Sequence, residues 1–130
     1  MRTLEGSRWV PRCVSHMGCV GGCLKVLGLL STPAWLFGAT GHAFVIHVHH
    51  HVCPSGPTTW NSQALSQLGR NVGYETQAVS GTRCEGSFAQ TQARAWDFVK
   101  HAIDQGLPCY GRKLNMPEYY VVFGYDDTGY

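Results

Sequence analysis

Six cysteines and seven histidines stand in a chain of 130 residues, and thiol and imidazole are the pair from which a nucleophile and its base are commonly built. Cys19 falls in the opening turns of "SHMGCVGGCLKVLG", a stretch with helical spacing. Free backbone N–H groups and the dipole at the head of a helix favour thiolate over thiol, and His16 or His42 would serve as the base. The competing reading of Cys19 is a buried apolar thiol, which also suits Cys23 one turn further on. Cys53 opens "CPSGPT", a loop whose prolines and glycine fix its shape, and five histidines lie in the eleven residues before it. Rigid loops of this kind carry function; a free thiol on a surface loop is the plainer alternative.

His47, His49 and His51 alternate on "HAFVIHVHHHV", so a strand would put them on one face at about 6.6 Å per step. Two of them would share a zinc or nickel ion only with a third ligand from elsewhere. Apart from Cys53 no cysteine or carboxylate stands at ligand spacing, and no CxxC pair occurs. The expectation is a polar strand end with incidental metal affinity, with no resident metal and no cofactor.

The elements that must position these groups follow from spacing and punctuation. Ser15 is a plausible N-cap for a first helix in which Met17, Val20, Leu24 and Leu27 recur, and Gly28 supplies a left-handed stop. Gly18, Gly21 and Gly22 weaken that helix relative to alanine, which predicts close approach of another backbone. Ser31 or Thr32 before Pro33 opens a second short helix. A strand is expected over "HAFVIHVHHHV" and a short helix from Thr58 or Thr59 to Gly69. "VGYETQAV" reads as extended chain. A long helix starts at Ser87 and stops at "GLP", and a pair of strands, "LPCYG" and "EYYVVFGYDD", is joined by a hairpin-like return. Trp96, Phe98, Tyr119 and Tyr120 are assigned to packing, and Asp126 and Asp127 to a turn that Asp stabilises by bonding backbone two residues on.

Hydrophobic residues make up 44% and charged ones 14%, with a net charge of +2 and no basic cluster. That is a globular composition without the electrostatic footprint of a nucleic-acid binder. The longest apolar run, Cys23 to Phe37, is broken by Lys25, Gly28 and Pro33 and does not reach the ~20 residues of a membrane span. No signal-like segment opens the chain, so a cytoplasmic protein with reduced thiols is expected. Residues 1–130 read as a single α+β domain. The acidic turn "DDTG" would ordinarily feed a further strand, so the chain is taken as the front part of a longer domain.

This order of elements, with "GCLKVLG", "STPAWLFGATGHAF" and "GLPCYGRKLNMPEYYVVFGYDD", resembles the papain-like fold. Within it the chain is similar to the bacteriocin-processing peptidase-like group and to the N-terminal domain of the butirosin-biosynthesis protein H family, from about Val14 to Asp127. The resemblance implies an N-terminal helix packed on a mainly antiparallel sheet, a nucleophilic cysteine at the head of that helix, and a histidine base opening the strand "VVFGYD". Matching "LKVLG" to the usual end of that helix puts the nucleophile position at Ser15, give or take about two residues, and the histidine position at Glu118. The upstream oxyanion glutamine is also absent, since the first glutamine is Gln63. A serine hydroxyl is served by an imidazole of pKa ~6.5, whereas a glutamate of pKa ~4.3 is a weak base unless buried. The expectation is therefore a papain-like domain with a degenerate dyad that binds a peptide, an acyl carrier or a small metabolite. The alternative is a cysteine-dependent amide hydrolase or acyltransferase using Cys19 or Cys53 with a nearby histidine.

Overall fold

The computed structural model describes residues 1–29, 31–45, 62–113 and 117–129. They form a small α+β domain: β1 (Arg2–Thr3), α1 (Ser15–Val26), α2 (Pro33–Ala39), α3 (Ser62–Leu68), a 3-10 turn (Gly69–Val72), α4 (Phe88–Asp104), β2 (Cys109–Arg112), β3 (Tyr119–Val122) and β4 (Gly124–Tyr125). The strands make two small antiparallel sheets, β2 with β3 and β1 with β4.

Helix α1 is the centre of the domain. Every residue from Met17 to Leu24 is buried, so its faces are covered on all sides. Met17, Val20 and Leu24 meet Leu36 of α2 in the core, with Val14, Phe37, Val72, Tyr74 and Tyr110 packed around them. Another face rests on β2 and β3. The third is a glycine face, and an N-terminal arm lies across it: Val10 N–H donates to the Gly18 carbonyl at 3.2 Å. A Cβ at Gly22 would run into the Arg8 carbonyl oxygen, and one at Gly18 would meet the Trp9 indole and come within 2.6 Å of the Val10 oxygen. Close backbone approach, expected from the three glycines, is what Gly18 and Gly22 permit.

The arm continues along the sheets. Leu4 N–H donates to the Phe123 carbonyl at 2.7 Å, Ser7 Oγ to the Val122 carbonyl at 3.5 Å, and Arg2 and Thr3 pair with Tyr125 and Gly124. Arg2 and Tyr125 also share Asp104 Oδ1, at 3.0 and 2.8 Å. These last contacts are exposed and add little stability each.

The helix ends follow their residue types. Gly28 (φ 72) sits past the end of α1, where its N–H donates to the Lys25 carbonyl and that of Leu29 to the Leu24 carbonyl; the left-handed residue ties off carbonyls that the helix leaves open. Gly106 does the same for α4. Thr32 caps α2, its hydroxyl accepting from Trp35 N–H at 3.2 Å, with Pro33 at the first helical position. Strands β2 and β3 pair from Cys109 with Val122 to Arg112 with Tyr119. Asp126 accepts from the N–H and hydroxyl of Thr128 and from Gly129 N–H; the Thr128 hydroxyl, first among these, holds the carboxyl below its ordinary value.

Two expectations need correction. Ser15 is the first residue of α1 rather than its cap: Val14 occupies the cap position with an extended backbone and no side-chain hydrogen bond. Residues 42–44 form a turn, not the start of a strand, because Ala43 and Phe44 N–H groups bond back to Phe37 and Gly41. Residues 46–52 of that expected strand, His47, His49, His50 and His51 included, lie outside the described residues, as do Cys53, Thr58 and Thr59.

The glycine face gives a test of sign. On helix propensity alone, Gly22→Ala would stabilise α1 by up to about 1 kcal/mol. The clash with the Arg8 carbonyl reverses this, with an expected loss of about 1–3 kcal/mol in urea unfolding and faster tryptic cleavage after Arg8. Unchanged or raised stability would show that the arm does not seat against the helix.

Candidate functional site

The head of α1 and the start of β3 come together at two consecutive residues on each side. Ser15 Oγ donates to Glu118 Oε2 at 2.5 Å, a length typical of a hydroxyl bonded to a carboxylate. One residue on, the His16 ring lies 4.8 Å from that of Tyr119, centroid to centroid. Glu118 is placed by the hairpin: it precedes β3, and its carbonyl accepts from Lys113 N–H at 3.1 Å. Ser15 is placed by the arm as well, since Trp9 Nε1 donates to its carbonyl at 3.3 Å. With no cap side chain and no acidic residue in the first turn of α1, Glu118 brings the negative charge that a helix N-terminus favours.

Behind this contact lies an aromatic cluster. His16 is ringed by Tyr119, by Tyr110 at 5.5 Å and by His42 at 5.6 Å. The two imidazoles are stacked, 19° from parallel, and Phe37 lies edge-on to His42. His16 Nε2 is 3.3 Å from the Tyr110 hydroxyl. The tautomer of His42 follows from its neighbour. Thr40 has one hydroxyl proton, and it goes to the Leu36 carbonyl at 2.6 Å. His42 Nδ1, 3.0 Å from the same oxygen, must therefore carry the hydrogen and donate.

Burial sets the protonation of the cluster. It pushes His16 from 6.5 to about 4, helped by the like charge that His42 would carry. It pushes His42 to about 4 against a hydrogen bond to the Thr40 backbone, which favours the charged form. Both rings are neutral at pH 7. Burial also drives the Tyr110 hydroxyl upward.

The cysteine candidates are placed differently. Cys19 is completely buried and Cys23 nearly so. Burial pushes Cys19 up to about 12, with Cys23 beside it adding to the shift, and Cys23 to about 12, with Cys109 adding. Neither is positioned to attack a substrate from solvent, and burial makes the thiolate form scarce. Cys13 and Cys84 are exposed. No group of three or more potential metal ligands occurs among the described residues, and none of the helices described is long and apolar enough to cross a membrane.

Of the residues singled out in the sequence, the structure thus joins Ser15 to Glu118 and stacks His16 on His42, while Cys19 sits inside the core. Tyr110, Tyr119 and Thr40 complete the cluster, and only Tyr119 had been given a role, in packing. No family model, curated protein or solved structure matches the chain.

The thiols yield a direct prediction. Iodoacetamide at pH 8 should label Cys13 and Cys84 in the folded protein and leave Cys19 and Cys23 unmodified over the same interval, read by peptide mass spectrometry. Labelling of Cys19 at the rate of Cys84 would contradict its burial.

Proposed function

We propose that the chain is a papain-like domain whose two catalytic positions are held by Ser15 and Glu118, and that it binds a peptide, an acyl carrier or a small metabolite without cleaving it. One observation carries the reading: the residue at the head of the first helix and the residue leading the tyrosine-valine strand are in hydrogen-bond contact, 2.5 Å apart. Family resemblance matches those positions to nucleophile and base, and an acyl-transfer dyad needs its two side chains within hydrogen-bond reach.

The chemistry of the pair argues against turnover. The carboxylate accepts a hydrogen bond from the serine hydroxyl in the resting contact, but a carboxylate is ordinarily too weak a base to remove that proton at neutral pH. Glu118 is exposed. The reading in which Cys19 attacks a carbonyl meets the further obstacle that its sulfur is inside the core. What remains at the helix head is a polar rim of hydroxyl and carboxylate, suited to hydrogen-bonding a bound group.

Rearming the positions tests the reading without assuming a substrate. Ser15→Cys alone should give a thiol of ordinary reactivity. With Glu118→His added, the imidazole should lower the thiol pKa, and iodoacetamide at about pH 6 should label Cys at position 15 at least about tenfold faster than in the single variant, with Cys84 as the internal reference. Equal rates in the single and double variants would remove the dyad assignment.

A further inference from the structure

Consecutive residues of α1 meet the residue before β3 and its first residue: Ser15 bonds Glu118 and His16 packs on Tyr119. Ser15 and His16 are neighbours on the first turn of α1, so a displacement of that turn from the hairpin would break both contacts. An event that expels His16 from its aromatic surroundings by moving that turn would also separate Ser15 from Glu118.

We propose that the stacked His16 and His42 rings form a proton-operated latch on the Ser15–Glu118 contact, closed while both imidazoles are neutral and opened when they are protonated. As regulation of a binding groove this rests on the reading above; as a mechanical coupling it concerns only these side chains.

The geometry leaves an imidazolium badly served. An imidazolium at position 16 has two N–H donors. Nε2 reaches the Tyr110 hydroxyl, but Nδ1 is buried with no hydrogen-bond partner among the described residues. Stacking sets the rings face to face at 5.6 Å, so two charges would repel across a poorly solvated gap. The following titratable, charged and polar groups face the stack among the described residues. From β2 and β3 come the phenols of Tyr110 and Tyr119, with the Arg112 guanidinium, of the same sign, 5.7 Å from the Tyr119 ring centroid. Glu118 has the opposite sign, but its carboxylate is engaged by Ser15. Cys19, a neutral thiol, is the titratable neighbour on α1. From α2 and its exit come Phe37 and Thr40.

The direction of the effect follows from linkage. Each ring takes up a proton near pH 6.5 when exposed and near 4 when enclosed. Above pH 6.5 neither form is protonated and the closed form is fully favoured. As pH falls from 6.5 towards 4 the open form binds protons that the closed form refuses, so the latch weakens progressively through that window.

The test uses 4,4′-dithiodipyridine, a disulfide that reacts with thiols in acid as well as at neutral pH, on the intact chain at about pH 7 and pH 4.5. Cys19, one helical turn beyond His16 and fully buried, reports opening, and exposed Cys84 normalises the reagent. In the wild type, Cys19 labelling relative to Cys84 should rise by at least about tenfold on acidification, with far-UV circular dichroism retained. His16→Phe keeps an aromatic ring that cannot be protonated and should hold the rise below about twofold; His42→Phe serves in the same way if that variant does not fold. An equal rise in wild type and variant, a wild type that stays protected at pH 4.5, or a loss of all secondary structure together with protection would each overturn the latch. None of these outcomes bears on the rearmed Ser15→Cys, Glu118→His pair, so failure of the latch and failure of the dyad assignment are separable.

Discussion

Helix α1 has no solvent-facing side between Met17 and Leu24, and that constraint organises the rest of the domain. A helix enclosed in this way must present a different solution to each neighbour. To the arm it offers glycines, because a backbone can come near only where no Cβ intervenes. To α2 it offers Met17, Val20 and Leu24, which exclude water with Leu36. To the hairpin it offers its first turn, where Ser15 and His16 meet Glu118 and Tyr119. The arm, α2 and the hairpin are thereby held in fixed relation through one twelve-residue element.

The enclosure also determines the chemistry. Thiols on the helix interior become apolar packing, with their ionisation driven up. Imidazoles beside its head become neutral rings, with theirs driven down. Ser15 with Glu118 is a polar pair left at the helix head, at the edge where the helix emerges. Burial thus separates groups that sequence alone presents as equal candidates, withdrawing Cys19 from solvent while leaving the serine and carboxylate accessible.

Much of this was legible in the residues. Gly28 and Gly106 end their helices because only glycine takes the left-handed conformation at little cost, and Thr32 with Pro33 starts α2 for equally local reasons. The hairpin of Cys109–Arg112 with Tyr119–Val122 followed from "LPCYG" and the tyrosine-valine run of "EYYVVFGYDD", separated by a return of suitable length. What depended on distant partners was not legible locally; only the family resemblance set Ser15 against Glu118. Ser15 has the residue type of a cap, but its hydroxyl goes to a carboxylate 103 positions away, and nothing local reveals that. The alternation beginning at His42 suggested a strand, yet the imidazole bonds back to Thr40 and the chain turns on α2. The arm's two-residue strand carries no periodicity to detect. The stack of His16 on His42 had one faint signal, a histidine placed one residue past the polar head of a buried helix.

Whether the head of α1 and the start of β3 act as one polar contact is tested most directly by a double-mutant cycle. Ser15→Ala, Glu118→Ala and the double variant would be compared in urea unfolding at pH 7. A real contact predicts a favourable coupling of about 0.5–1 kcal/mol, modest because the pair is exposed. Strictly additive losses would contradict it, showing that the two side chains do not interact in the folded protein.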